Sequence, residues 1–202
     1  MTLLALAHTL PVPAQAAAPV ILIVGDSISA GYGLAPDRGW ARLLRDRLRD
    51  QGYRFDVVNA SISGDTTAGG RSRLPALLRE HHPAVVVIEL GGNDGLRGGD
   101  VKVMRDNLDA MVGMARKAGA RVLLVGMRMP PNYGPAYTQQ FAAAYADVAH
   151  KNAATLVPFF FEGFAETGEW FQPDRIHPTV SAQPRLLENL WPALKGLLEK
   201  RA

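Results

Sequence analysis

The sequence of 202 residues contains no cysteine. That absence excludes disulfide bonds, thiol nucleophiles and thiolate metal sites. Long apolar runs are missing as well: the N-terminal apolar run, residues 3–10, is too short to cross a bilayer as a helix. We therefore expect a protein without stable membrane insertion.

The chain also lacks a large excess of positive or negative charge. The chain has 22 Lys and Arg against 19 Asp and Glu, for a formal net charge of +3. Basic and acidic residues are mixed between positions 42 and 50, as on a solvated helix face, and no aromatic-rich basic groove accompanies them, so no nucleic-acid partner is predicted. With 48% apolar and 20% charged residues, the composition is that of an ordinary globular domain with a single core.

The first eighteen residues differ in composition from the rest. An apolar run, residues 3–10, is followed by two prolines and a string of small residues at 14–18, a pattern typical of the end of a secretory signal peptide. The positively charged start of such peptides is missing. We predict that residues 1–18 are a signal peptide truncated at its start, or else a disordered extension. Residues 19–202 are predicted to form one domain of a periplasmic or secreted bacterial protein.

Five short apolar segments alternate with segments of helical periodicity. The first is apolar throughout, as expected for a strand buried on both faces. The last helical stripe contains Pro192, which predicts a kink or a break. The alternation predicts an α/β fold, a three-layer α/β/α sandwich around a parallel sheet, with sites beyond the carboxyl ends of the strands. The predicted strands are residues 20–24, 55–59, 84–90, 121–125 and 155–157.

Polar clusters directly follow three of the predicted strands, at residues 25–29, 59–65 and 91–95. A serine hydroxyl needs a nearby imidazole to take its proton, and that imidazole needs an acceptor to fix its tautomer. Asp174 and His177 lie outside any predicted strand, and a spacing of three residues on a turn or helix puts both on one face. Ser27, His177 and Asp174 are therefore a candidate nucleophile, base and orienting acid, and activity should fall at acid pH as His177 becomes protonated.

Acyl transfer also needs hydrogen-bond donors for the oxyanion of its tetrahedral intermediate. The backbone N–H groups of Ser27 and Gly64 are suitable, because small loop residues let a substrate approach closely. The side-chain amide of Asn93 can supply a third donor. The aspartates next to these three positions are predicted to be structural residues that satisfy loop N–H groups.

The blocks around Ser27, Gly64, Asn93 and His177 resemble, in order and spacing, the four invariant blocks of the SGNH hydrolases, also called GDSL hydrolases. Residues 59–66, 73–78, 89–98 and 130–134 are similar to the periplasmic bacterial thioesterase and lysophospholipase members of that family. The resemblance runs from about residue 20 to the C-terminus. One departure is Ile28, where the family has leucine; both side chains are apolar.

The resemblance implies a flavodoxin-like sheet with strand order 2-1-3-4-5 and a serine esterase that cleaves carboxylic esters and thioesters through an acyl-enzyme. Aryl esters, acyl-CoA and lysophospholipids are the implied substrates, with no metal and no cofactor. Ser27 is the implied nucleophile, His177 the base and then acid, and Asp174 the residue that orients it. The implied oxyanion hole consists of Ser27, Gly64 and Asn93. We expect a monomer that acts on small acyl substrates.

The acyl pocket is less clearly encoded. The segments 74–78 and 129–134 are apolar and match the thioesterase members of the family, which suggests that they flank the acyl chain. Leu78, Pro131, Tyr133 and Ile176 are the candidate contacts. The alternative is that the leucines of residues 74–78 are simply the core face of a helix.

Two other functions remain open from the sequence. A carbohydrate O-acetylesterase of the same fold would carry the same four blocks, and a flavodoxin-like binding module could keep the fold without catalysis. Dinucleotide binding is not expected, because Gly25, Gly31 and Gly33 have the wrong spacing for its fingerprint. The α/β-hydrolase fold is not expected either, since no Gly-x-Ser-x-Gly elbow is present.

Overall fold

A parallel five-stranded sheet forms the centre of the protein in a computed structural model that describes residues 17–198. All but the last two residues of the predicted leader, 1–18, lie outside this range. The strand order is β2-β1-β3-β4-β5, and every neighbouring pair is parallel, which confirms the predicted fold class and sheet order. The strands are β1 (Val20–Gly25), β2 (Asp56–Asn59), β3 (Val85–Glu89), β4 (Arg121–Val125) and β5 (Thr155–Val157).

Helices cover both faces of this sheet. Three of them, α3, α5 and α6, pack side by side as one layer, and α2 packs against α7 as the other. Two shorter helices, α1 and α4, begin at the carboxyl ends of β1 and β3. The helices are α1 (Ser27–Ala30), α2 (Trp40–Asp50), α3 (Thr67–His81), α4 (Gly92–Leu96), α5 (Val101–Lys117), α6 (Pro135–Lys151) and α7 (Gln183–Leu198).

The sheet is buried on both faces because helices cover each of them. Ile21, Leu22, Ile23 and Val24 are all fully buried, because side chains on either side of β1 meet a helical layer. No helix within residues 17–198 is both long and apolar enough to cross a membrane.

Pro192 does not break the C-terminal helix. The sequence predicted a kink or a break there, and the break does not occur, because α7 runs as one helix from Gln183 to Leu198. A proline inside a helix removes one backbone hydrogen bond and destabilises it by about 3 kcal/mol. The flanking Leu190, Trp191 and Leu194 are buried in the core, and their packing offsets this loss.

Candidate active site

Ser27 is the first residue of a single helical turn at the carboxyl end of β1. The side chain of Asp26 caps this turn, with Oδ1 accepting a hydrogen bond from the Ile28 N–H at 3.0 Å. The carbonyl oxygen of Ser27 accepts from the N–H groups of Gly31 (3.1 Å) and Tyr32 (3.0 Å). These backbone contacts fix the direction in which the Ser27 hydroxyl leaves the sheet edge.

The predicted triad residues form a continuous hydrogen-bonded chain. His177 Nε2 lies 2.9 Å from Ser27 Oγ, and His177 Nδ1 lies 2.7 Å from Asp174 Oδ2. The other carboxylate oxygen of Asp174 accepts from the N–H groups of Ile176 (2.9 Å) and His177 (3.0 Å). Asp174 and His177 thus come from one turn, although Ser27 is 150 residues away in sequence.

The environment of Asp174 keeps its carboxyl group ionised. Burial raises the pKa of Asp174, but hydrogen bonds from the backbone and ring of His177 and from the backbone of Ile176 outweigh it and lower the pKa to about 2. A carboxylate facing Nδ1 favours the histidine tautomer that carries its proton on that nitrogen. Nε2 is then free to accept the proton of Ser27.

The predicted oxyanion donors Ser27, Gly64 and Asn93 follow β1, β2 and β3, at the carboxyl edge of the sheet. Within residues 17–198, the N–H groups of Ser27 and Gly64 have no hydrogen-bond acceptor in the chain. Gly64 has a φ of +79°, in a turn that favours glycine. The Asn93 amide donates one hydrogen to Asp26 Oδ2 at 3.1 Å, and a primary amide has a second to offer.

The loops carrying these donors are tied to the sheet edge by side chains. Arg73 Nε donates to Asp65 Oδ2 at 2.8 Å, and its other nitrogens donate to the carbonyl oxygens of Ala60 and Gly25. Asp94 accepts from both the N–H (2.9 Å) and the hydroxyl (2.6 Å) of Thr67. Asp26, Asp65 and Asp94 therefore accept hydrogen bonds from loop and helix groups, as expected of structural residues.

Glu89 is a member of this region that the sequence interpretation missed. It ends β3, is fully buried, and accepts a hydrogen bond from Ser29 Oγ at 2.7 Å through Oε2, while Oε1 has no hydrogen-bond partner among the described residues. Burial raises the pKa of Glu89 well above its usual value, and nearby Asp26 raises it further. Burial likewise raises the pKa of Asp26 to about 6. The signal in the sequence is an acid at the end of an otherwise apolar strand.

The candidate acyl-pocket residues do not all reach this edge. Leu78 is buried in the core, and it lies eleven residues beyond the first residue of α3, about 16 Å along the helix axis. It belongs to the core face of that helix, which was the alternative interpretation. Pro131 and Tyr133 lie in a short 3₁₀ turn, and the Tyr133 hydroxyl donates to the Leu96 carbonyl at 2.9 Å. Ile176 is 41% exposed beside His177.

A serine, a histidine and an aspartate in hydrogen-bond contact at the carboxyl edge of a parallel α/β sandwich define a serine hydrolase. Among residues 17–198, no group of three or more His, Asp or Glu side chains is placed to hold a metal ion. Residues 23–183 match the GDSL-like lipase/acylhydrolase family. The chain belongs to this family, as the four sequence blocks predicted.

Known members of the family resemble the chain over most of its length. Esterase TesA of Pseudomonas aeruginosa is 58% identical over 184 residues, which are 91% of this chain and 92% of that protein. Thioesterase 1/protease 1/lysophospholipase L1 of Escherichia coli K12 is 42% identical over 183 residues, 91% of this chain and 86% of that protein. A crystal structure of TesA superposes with a TM-score of 0.86 at 57% identity, covering 88% of this chain and 99% of that one.

These likenesses decide between the open alternatives. The chain is a GDSL esterase, so the non-catalytic binding module is set aside. The carbohydrate O-acetylesterase is not favoured, because the similar proteins are named esterase and thioesterase/lysophospholipase.

Proposed function

We propose that the protein hydrolyses carboxylic esters and thioesters of single acyl chains through an acyl-enzyme on Ser27. The observation that carries this proposal is the continuous chain from Asp174 to His177 to Ser27, with contacts of 2.7 and 2.9 Å. The names of the two relatives, one an esterase and the other a thioesterase and lysophospholipase, support activity on both bond types.

In the acylation step, His177 Nε2 takes the proton of the Ser27 hydroxyl as Oγ attacks the acyl carbonyl carbon. A carbon–oxygen bond forms, and the carbonyl π electrons move onto oxygen. The N–H groups of Ser27 and Gly64 and the amide of Asn93 stabilise that oxyanion. When the tetrahedral intermediate collapses, the bond to the leaving oxygen or sulfur breaks, and His177 returns the proton to the leaving group.

In the deacylation step, water replaces the alcohol or thiol. His177 removes a proton from water, and the resulting oxygen attacks the acyl carbon. When the second intermediate collapses, the bond between the acyl carbon and Ser27 Oγ breaks, the carboxylic acid is released, and His177 returns the proton to Oγ. Asp174 stays ionised throughout, because its hydrogen bonds to His177 and Ile176 lower its pKa to about 2. Its negative charge compensates the imidazolium that forms in each step.

For the acyl chain we propose contacts with Pro131, Tyr133 and Ile176. The hydrogen bond from Tyr133 to the Leu96 carbonyl joins the 131–133 turn to α4, which also carries Asn93. Ile176 offers exposed apolar surface one residue from the base. The proposed binding surface therefore has two parts, the 131–133 turn next to α4 and Ile176 next to the base.

We further propose that the active unit is a monomer and that it works in the periplasm or outside the cell. One chain supplies Ser27, His177 and Asp174, so the site is complete without a second copy. The proposed location rests on the apolar run at 3–10 and the small residues at 14–18.

The direct test is Ser27→Ala assayed with p-nitrophenyl esters, an acyl-CoA and a lysophospholipid. Loss of the nucleophile from a triad lowers kcat by roughly 10⁶-fold in a comparable enzyme. The matched control is Ser63→Ala, which removes the hydroxyl of an exposed serine next to Gly64 and should leave activity unchanged. Substantial turnover by a pure, folded Ser27→Ala sample contradicts the proposal.

A further inference from the structure

The segment that carries the base and its acid has no helix or strand of its own. Residues 171–178 form a turn closed by a single antiparallel bridge between Phe171 and Pro178. Its position relative to the nucleophile therefore depends on individual side-chain and backbone contacts rather than on a regular element.

Gln172 supplies several of those contacts. Its N–H donates to the His177 carbonyl at 2.8 Å, and its carbonyl accepts from the Arg175 N–H at 2.8 Å. Its side-chain amide donates to the Tyr32 carbonyl at 2.8 Å and to the Pro178 carbonyl at 3.3 Å. One residue thus braces the turn internally and links it to the segment after the nucleophile.

Tyr32, which accepts the hydrogen bond from the Gln172 side chain, also contacts two residues of the triad. Its N–H donates to the Ser27 carbonyl at 3.0 Å, and its ring lies against the His177 imidazole with centroids 4.4 Å apart. Ser27, Tyr32, Gln172 and His177 are thus joined in a ring, in which each residue contacts the next and His177 contacts Ser27.

Gly33 leaves the space that the Gln172 side chain occupies. A Cβ atom at position 33 would lie 2.1 Å from Gln172 Oε1, and the φ of Gly33 is +74°. Glycine suits position 33 for two reasons: it adopts a positive φ readily, and its lack of a side chain leaves room for the amide of Gln172.

We propose that Gln172 is a positioning residue that holds the imidazole of His177 in reach of Ser27 Oγ, an inference that rests on the proposed function of the triad. Without the amide, the 171–178 turn keeps Asp174 and His177 together but loses its hydrogen bond to the nucleophile segment. The reaction then slows because the base is less often aligned with the hydroxyl, while the proposed oxyanion donors and the 131–133 turn, which lie outside residues 171–178, stay in place.

The test is Gln172→Met, which keeps the length of the side chain and removes its donors. We expect kcat for p-nitrophenyl butyrate and the rate of Ser27 phosphonylation by a p-nitrophenyl alkylphosphonate to fall about ten- to a hundred-fold, the range expected for misplacement of a catalytic group. KM should change less than kcat because, of the proposed acyl contacts, only Ile176 lies in the 171–178 turn. The ring protons of His177 should shift in the NMR spectrum as the Tyr32 ring moves away.

Gln183→Met is the matched control. Gln183 also joins two backbone groups, accepting from the Trp40 N–H at 2.9 Å and donating to the Thr179 carbonyl at 3.2 Å, but it does not touch the triad. Its replacement should lower Tm and leave kcat and the His177 resonances unchanged. Gln172→Asn, one carbon shorter, should give an intermediate rate and reports on the role even if Gln172→Met does not fold.

The outcomes separate this inference from the proposed function. If Gln172→Met and Gln172→Asn react with the phosphonate as fast as wild type and the His177 resonances do not move, Gln172 has no positioning role. If wild type itself shows no modification of Ser27, the proposed function fails instead.

Discussion

Glu89 should make the folded protein less stable as the pH rises from 5 to 7. Its carboxyl group is fully buried, with one oxygen hydrogen-bonded to Ser29 and the other without a hydrogen-bond partner in the part of the chain that the structure describes. Burial and the nearby Asp26 raise the pKa of Glu89 well above 4.5. The folded protein therefore keeps a proton on Glu89 at pH values where the unfolded chain has released it.

The size of the effect follows from proton linkage. When the folded state binds one proton more than the unfolded state, the free energy of unfolding falls by about 1.4 kcal/mol per pH unit. Between pH 5 and pH 7 Glu89 can thus remove up to about 3 kcal/mol of stability. Asp26 acts in the same direction between its usual pKa of 3.8 and its raised pKa of about 6. Glu89→Gln removes the titrating carboxyl group, and with it the pH dependence that Glu89 contributes to the free energy of unfolding. The glutamine amide oxygen can still accept the hydrogen bond from Ser29.

The assay is urea unfolding at pH 5, 6 and 7 at constant ionic strength, for wild type and Glu89→Gln. The stability of the variant relative to wild type should rise across this range by up to about 3 kcal/mol. Glu188→Gln is the control: an ion pair with Arg47 lowers the pKa of Glu188, so that group is ionised in both states above pH 5 and its removal leaves the slope unchanged. Parallel curves for Glu89→Gln and wild type would refute the reasoning.

Two further predictions concern the site itself. Asn93→Ala should lower kcat by about 10²- to 10³-fold, because it removes one oxyanion donor, and kcat equal to wild type with p-nitrophenyl butyrate would exclude Asn93 from the oxyanion hole. Tyr133→Ala should change the relative kcat/KM for p-nitrophenyl esters with acyl chains of four to twelve carbons. Tyr133→Phe, which keeps the ring, should retain the wild-type dependence on chain length. If Tyr133→Ala shows the same dependence on chain length as wild type, Tyr133 does not contact the acyl chain.

The sequence was sufficient to predict the layers of the fold and to select three residues, Ser27, Asp174 and His177, that the fold brings into hydrogen-bond contact. Continuous apolar segments such as residues 20–24 encode strands covered on both faces, and the polar blocks follow them because parallel strands end at one edge. The three-residue spacing of Asp174 and His177 is a local property of one turn, so it could be interpreted without any knowledge of the fold. The strand order, in contrast, came from family resemblance, because no residue pattern within a strand specifies its neighbours.

Contacts between distant parts of the chain that lie outside the four family blocks could not be predicted. Gln172 and Tyr32 are 140 residues apart, and neither stands out by type or spacing. Leu78 illustrates a different limit: its apolar side chain fits a pocket and a core equally well, and only the course of α3 away from the sheet edge assigns it to the core. Pro192 shows that a local helix-breaking signal can be overridden by the tertiary packing of the residues around it.

Gly25, the glycine that precedes Asp26 and Ser27, packs against the buried residues Ser29 and Glu89. A Cβ atom on Gly25 would lie 2.8 Å from the Cβ of Ser29 and 2.9 Å from Glu89 Oε2. Gly25 is therefore small because a serine and a buried acid pack directly against the end of β1, where the chain turns into the nucleophile helix. The same packing explains why Ser29 can donate to Glu89. The motif around Ser27 thus specifies the nucleophile together with the close packing that fixes its backbone.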